Sequence, residues 1–460
     1  MTQPRPTQQA ILHKLALARS KDADFDVFGA DSHHYHLSPP CSEQHIAAFE
    51  RDYGISLPEC YRSFISHIGN GGNGYQGSGA GPFYGIYALA DGVGDLGCSN
   101  SAQQMQNPCL LDPTMTEQAW AELAANLICE HDDEVAEAEF EVALQTVFGG
   151  LMILGTQGCN YYHALVLNGP YRGRVVNLSL DFEQPKFCYE PDFLSWYQRW
   201  LDEIISGDLM AEPVGWFGYQ KGGRAEDLLS EFQNANTTSE RKACLTGLQN
   251  KQQLSSTILA KLQQAFFNYP EHREQLCQII CKSDYGLAHP LLAQLLNSQP
   301  LGFLQCLHWY GGQHSQNWRQ QILQILSNTR DFDSLCFAGY LMEKFGAESA
   351  VDFANSLLSH TRHEQAEFRL QAYYFLGQLS CKKAYRDTFI TGLFDADLEV
   401  QRTVLQAISG WTEPEFLPGL SQIARRYPEE QDYILSNLSQ VLQDYGLSIA
   451  QVLETAPASD

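Results

Sequence analysis

The residues with most chemical potential are the carboxylates of Glu130-His131-Asp132-Asp133-Glu134-Val135-Ala136-Glu137-Ala138-Glu139-Phe140-Glu141, seven acids with no cation among them. A calcium loop requires D-x-[DN]-x-[DN]-G, and the run lacks it. Two readings stay open: a solvated loop or helix face, or a docking surface for a basic partner. The surroundings bear on the second. From Ser63 to Tyr171 there is no Lys or Arg, while twelve Asp and Glu fall in the same interval. Complementary charge steers association.

Three other groups invite chemistry and fail on spacing or context. Cys159 and His163 suggest a nucleophile and base, but on one strand they stand about 13 Å apart, where a hydrogen bond needs about 3 Å. His33, His34 and His36 with Cys41 concentrate metal-binding side chains without the two paired ligand sets of a structural zinc site, and read as a solvated loop. Gly69-x-Gly71-x-x-Gly74 matches the dinucleotide string, yet a helix precedes it and a strand follows, the reverse of what holds a pyrophosphate. No G-K-[ST] occurs. No cofactor, metal or catalytic constellation is read, and no enzyme is expected.

The totals narrow the class. The chain has 460 residues, a net charge of −25, and 13 scattered cysteines with no C-x-x-C, the pattern of reduced thiols rather than a disulfide frame. Residues 1–206 hold 10 Lys and Arg against 26 Asp and Glu; residues 207–460 hold 19 against 28. Such a field repels nucleic acid and anionic membranes. No apolar run reaches the roughly 18–20 residues of a membrane span. Gln8–Arg19 is amphipathic rather than a continuous apolar segment, so no secretory signal is read. A soluble, cytoplasmic protein is expected.

Positioning elements follow from periodicity. Residues 1–40 read as an extension with one helix. Ser42–Tyr53 reads as a helix stopped by Gly54. Pro58 opens a second helix, with Tyr61, Phe64, Ile65 and Ile68 on one stripe, and Gly69-Asn70-Gly71-Gly72-Asn73-Gly74 ends it. Pro82–Leu89 reads as a strand, Met115–Leu127 as a helix, and Leu151–Gly155, Tyr161–Leu167 and Arg174–Leu178 as strands between glycine-bearing breaks. Phe193, Trp196, Tyr197, Trp200, Leu201 and Ile204 form an apolar stripe after the N-cap Asp192, a helix that closes over a sheet. Gly207–Arg224 looks like a linker. From Glu226 to Leu453 helical patterns succeed one another, and Arg369-Leu370-Gln371-Ala372 recurs as Leu405-Gln406-Ala407 after Arg402, with Gly377 and Gly410 closing the two helices. This resembles HEAT-type repeats, helix pairs that bury their faces by stacking.

The Leu57-Pro58 helix start, Tyr61, Phe64, the Gly69-Asn70-Gly71-Gly72 turn, Gly85-Ile86-Tyr87-Ala88-Leu89, Asn168-Gly169-Pro170 and the closing helix with Trp196 and Trp200 together resemble the SUKH superfamily over about residues 42–204. The resemblance implies an α+β fold with a mixed, curved sheet. It also implies a role as an immunity protein, binding and neutralising a cognate polymorphic toxin without shared catalytic residues. The expected organisation is an extension at 1–40, a SUKH-like domain at 41–206 with an acidic insertion at about 98–145, a linker at 207–225, and an all-α HEAT-like solenoid at 226–455. The expected partner is a toxin with a basic surface. It would be met by Glu130, Asp132, Asp133, Glu134, Glu137, Glu139 and Glu141 and by the aromatic residues Tyr75, Phe83, Tyr84, Tyr161 and Tyr162. Pro58, Gly69, Gly71, Gly72, Gly85, Asn168, Gly169, Pro170, Trp196 and Trp200 are assigned to architecture. The alternative is a regulatory scaffold that uses the module and the repeats to assemble partners.

Overall fold

The computed structural model describes residues 8–128, 137–210 and 216–455. The chain divides into two compact units, Met1–Leu259 and Ala260–Asp460.

The first unit is α+β. Its helices are α1 (Gln8–Lys21), α2 (Ala30–His33), α3 (Glu43–Tyr53), α4 (Glu59–His67), α5 (Ser101–Gln106), α6 (Glu117–Leu123), α7 (Glu137–Val147), α8 (Phe193–Ser206), α9 (Ala225–Asn234) and α10 (Thr238–Gln249). Its sheet is a meander of β1 (Leu151–Gly158), β2 (Tyr161–Val166), β3 (Val175–Ser179) and β4 (Lys186–Phe187), in that order. Each described pairing is antiparallel. The sheet is therefore not mixed: its strands follow one another through short connections, and a parallel pair would need a crossover of a dozen or more residues.

Alternation along these strands feeds two cores. Met152, Leu154, Leu165 and Val175 join Tyr61 and Phe64 of α4 and Phe193, Trp196, Tyr197 and Trp200 of α8. Leu151, Ile153, Ala164, Val166, Val176 and Leu178 face the other way, under Trp120 of α6, Leu144 and Val147 of α7, and Phe148. The segment at 98–145 is thus in large part the cover of the second sheet face. Asn168 ties it down, donating to the Asn107 carbonyl at 2.9 Å and accepting from the Cys109 amide at 2.8 Å. Gly169 and Pro170 complete that turn at the surface.

Helix starts and stops follow local chemistry. Ser42 caps α3 through the His45 amide, Asp192 caps α8 through the Ser195 amide, and Gly54 ends α3 in the left-handed region. Pro58 stands just before α4 and offers its carbonyl to Tyr61 and Arg62. The glycine turn after α4 is architectural. Gly71 has φ +66°, and a Cβ there would lie 2.8 Å from the Gly77 carbonyl oxygen; one on Gly72 would lie 2.6 Å from the Gly79 Cα.

Three further readings change. Residues 82–89 do not form a strand: Phe83 and Gly85 take φ of +56° and +102°, leaving one bridge between Gly79 and Ile86 and one bond from the Tyr87 amide to Leu154. The N-terminal extension is packed where it is described, from residue 8 to residue 40. Ile11, Leu15 and Ala18 form a buried stripe, Val27, Ala30 and Tyr35 are buried with it, and Lys14 pairs with Asp202 at 2.7 Å. The stretch taken as a linker is also packed where it is described: Leu209 and Phe217 enter the core, and Asp208 pairs with Lys251 at 2.8 Å. That pair helps explain why α9 and α10 belong to the first unit rather than opening the helical array.

A helix α11 (Ser256–Asn268) carries the chain over the boundary. The second unit continues with α12 (Arg273–Ser283), α13 (Tyr285–Ser298), α14 (Pro300–Tyr310), α15 (Arg319–Asn328), α16 (Phe332–Tyr340), α17 (Ala350–Leu357), α18 (Ala366–Gln378), α19 (Arg386–Leu393), α20 (Leu398–Ile408), α21 (Leu417–Arg426), α22 (Ile434–Asp444) and α23 (Ile449–Thr455). Alternate helices touch: α12 with α14, then α16, α18, α20 and α22 in turn, while α15 meets α17, α19 meets α21 and α21 meets α23. This two-row stack is how helical repeats bury faces that no pair could bury alone. Gly377 lets α18 and α20 approach closely, since a Cβ there would lie 2.7 Å from the Ala407 Cβ. Arg369 holds the next turn through a two-pronged pair with Asp395 at 2.8 Å.

Candidate protein-binding site

Exposed aromatic rings are rarely clustered on a protein surface without a use. In the first unit Phe28, Tyr75 and Trp216 are 49%, 54% and 58% exposed. They are linked through Tyr84: its ring lies 5.8 Å from Tyr75 and 5.5 Å from Phe28, and Phe28 lies 5.9 Å from Trp216. Phe83 forms the base, 6.1 Å from Phe28 and 5.8 Å from Trp216.

Each ring is placed by an identifiable local device. Asp22 is buried and accepts from the Asp26 amide at 2.7 Å, the Val27 amide at 3.3 Å and the Tyr35 hydroxyl at 2.6 Å. It thereby fixes the loop that carries Phe28. Gly29, with φ +81°, brings that loop onto the chain at Phe83, where a Cβ would stand 2.1 Å from the Phe83 carbonyl oxygen. Tyr75 opens a short turn, Tyr75–Gly77, and its amide donates to Ser32 at 2.9 Å. The buried Ser78 hydroxyl donates to the Tyr84 carbonyl. Trp216 is held through its neighbour Phe217, which packs on Trp196 at 5.8 Å and lies 5.0 Å from the Arg199 guanidinium. Arg199 is itself fixed between Glu190 and Glu203 at 2.9 and 2.8 Å.

The strip has an acidic margin. Asp91 is exposed and Asp95 half-buried, and the Asp91 carboxylate lies 3.6 Å from where a Cβ on Gly77 would be. Tyr87, which donates to Gln76 at 2.6 Å, sits in the field of Asp95, Asp91, Tyr75 and Tyr162, and burial with those charges raises its pKa. Partial burial pushes the carboxyls of Asp91 and Asp95 upward too. Among the described residues neither forms an ion pair. Tyr161 donates to Glu183 at 3.1 Å at the β1–β2 hairpin, and Asn160 donates to Asp181 at 2.8 Å. Gly158 of that hairpin lies under the Tyr84 ring.

The expected contact residues divide accordingly. Tyr75 and Tyr84 meet, Tyr162 shares the field of Tyr75, and Tyr161 stands in register with Gly158 beneath the Tyr84 ring. Phe83 is buried and supports the rings rather than offering a face. Glu137 and Glu139 are exposed on the first turn of α7, whereas Glu141 accepts from Ser99 and Gln145. Glu130, Asp132, Asp133 and Glu134 lie outside the described residues. Phe28 and Trp216 escaped sequence reasoning. Their sole local signal is an aromatic residue beside glycine-rich chain, Phe28-Gly29 and Gly215-Trp216-Phe217-Gly218.

Nucleophile and metal readings fare differently. Cys159 is exposed on the hairpin, whereas His163 is fully buried, with its pKa pushed down to about 3 by desolvation. His33 is not in a solvated loop. It is buried against Tyr35 and Trp200, accepts from the Tyr35 amide at 3.0 Å, and has its pKa lowered to about 4 by burial.

Residues 40–199 match the model of the SMI1 / KNR4 family (SUKH-1). This segment is a SUKH-1 domain. No curated protein matches the chain at a significant level. The SUKH-1 segment supplies Tyr75, Tyr84, Tyr161, Tyr162, Asp91 and Asp95. Phe28 and Trp216 come from chain on either side of it, so the strip is completed by residues that flank the domain. No helix among the described residues is long and apolar enough to cross a membrane.

Proposed function

We propose that the chain is a cytoplasmic immunity protein that binds a cognate toxin and neutralises it by non-covalent occlusion. The observation that carries this reading is the ring strip of Phe28, Tyr75, Tyr84 and Trp216, with Phe28, Tyr75 and Trp216 exposed, built from a SUKH-1 domain and the chain flanking it. Tyr and Trp dominate binding hot spots, and the surrounding carboxylates favour a basic protein over nucleic acid or an anionic membrane. An occluding role needs no catalysis. The test is co-expression with toxins encoded beside the gene. Restored growth together with a stable complex supports the reading; no rescue by any of them counts against it.

A second reading, a scaffold that assembles several partners, draws support from the second unit. There Trp309, Tyr340 and Tyr374 are exposed on α14, α16 and α18, alternate helices of the stack. Capture of several endogenous proteins, with no neighbouring toxin, would favour it.

A further inference from the structure

We propose that the ring strip receives an arginine-bearing segment of the partner, with a guanidinium lying on the Tyr75 and Tyr84 faces and pairing with Asp91. This rests on the protein-binding reading above and names the chemistry of the group bound.

Three features of the surface point the same way. The rings are tilted rather than stacked flat on one another: Tyr75 and Tyr84 meet at 49°, and Phe28 meets Tyr84 at 67°. Tyr75 is more than half exposed and Tyr84 partly so, and a planar cation is attracted by the negative face of such a ring. Next, Asp91 lies beside the Tyr75–Gly77 turn, and Asp95 shares its field with Tyr87 and Tyr162. Asp95 is half-buried and Asp91 exposed, neither is paired to a cation among the described residues, and an unpaired carboxylate beside the rings gains from an incoming counter-charge. Finally, residues 63–171 contain no Lys or Arg at all, so the segment bearing Tyr75, Tyr84, Asp91 and Asp95 supplies no cation of its own to compete for the site. Asp181 and Glu183 at the nearby hairpin are tied to Asn160 and Tyr161 and pair with no cation among the described residues. Arginine fits this combination better than lysine, because its guanidinium stacks on rings and forks onto a carboxylate in one geometry, while an ammonium is a hydrated point charge.

The test uses the full chain and three synthetic pentapeptides, Gly-Arg-Gly-Arg-Gly and its lysine and citrulline counterparts, titrated by NMR or calorimetry. The arginine peptide should bind about tenfold more tightly than the lysine peptide, and the citrulline peptide should bind least. Tyr75→Ala and Asp91→Asn should each weaken the arginine peptide about tenfold. Tyr75 is more than half exposed, so both variants should melt like the parent, and Trp216→Ala serves as a third, equally exposed probe. Equal binding of arginine and lysine peptides, no binding of either, or indifference to Tyr75→Ala and Asp91→Asn would each overturn the inference. Toxin rescue that survives these variants would do the same while leaving the immunity reading intact. Arginine binding in a chain that rescues nothing would stand apart from that reading.

Discussion

Both units expose aromatic rings, but they treat the charges near them differently. In the second unit Trp309, Phe337, Tyr340 and Phe375 link up at 5.5, 6.0 and 5.7 Å, with Tyr374 5.6 Å from Phe375. The nearby cations are committed to the fold. Lys344 donates to the Leu307 and His308 carbonyls and so caps α14, and Arg369 is clasped by Asp395. In the first unit the rings border Asp91 and Asp95, which the described residues leave without a cation. Exposed rings occur on both units; those of the first border Asp91 and Asp95, which pair with no cation among the described residues and whose pKa values are raised by partial burial.

The largest expected effect lies beneath the strip. His163 stacks near Phe83 at 6.2 Å, and it and His33 stay neutral in the fold, with pKa values of about 3 and about 4 against 6.5. Below pH 6.5 the unfolded chain takes up protons that the native state refuses, so stability falls as pH drops towards those values. Urea unfolding at pH 7 and pH 4.5 should show a loss of about 2 kcal/mol per histidine in the first unit, and His163→Leu should flatten its share. An unchanged midpoint across that range would mean that the two rings are not buried neutral.

Next in size, Tyr84→Ala with Trp216→Ala should weaken toxin affinity about a hundredfold, since paired aromatic hot spots contribute about 2 kcal/mol or more. Arg369→Ala strips Asp395 of its partner and should lower the stability of the second unit by about 2 kcal/mol, read as an earlier thermal transition with toxin affinity unaltered. Asp91→Lys with Asp95→Lys should slow association about tenfold and flatten its salt dependence; unchanged kinetics would remove the acidic margin from recognition. The smallest effect is expected from Trp309→Ala with Tyr374→Ala, which should move toxin affinity by less than about threefold. A larger loss there would erase the contrast between the two surfaces.

The helices and most of the sheet were legible because periodicity reports burial directly. Tyr61, Phe64 and Ile65 share a stripe because α4 is buried on one side, and the Phe193–Ile204 pattern is continuous because α8 spans a core. The glycine turn was readable as architecture for the same reason that it is needed: backbone passes too close at Gly71 and Gly72 for a side chain. Residues 82–89 misled because Phe83 and Tyr84 have strand-like side chains, while the left-handed backbone at Phe83 comes from tertiary contacts. His33 looked solvated because nothing in His-His-Tyr-His betrays that Asp22 folds the loop inward. Phe28 and Trp216 were invisible as a pair, since they are 188 positions apart in the sequence and meet by tertiary packing alone. Glu130–Glu141 are marked in the sequence by charge alone, whereas the ring strip beside Asp91 has a geometry of its own.

The most direct measurement is hydrogen exchange on the full chain with and without its toxin. Slowed exchange should fall on residues 25–29, 74–85, 158–162 and 216–219, where the amides of the ring strip and its supports lie. Slowing confined to residues 300–380, with the strip exchanging as in the free protein, would contradict the account.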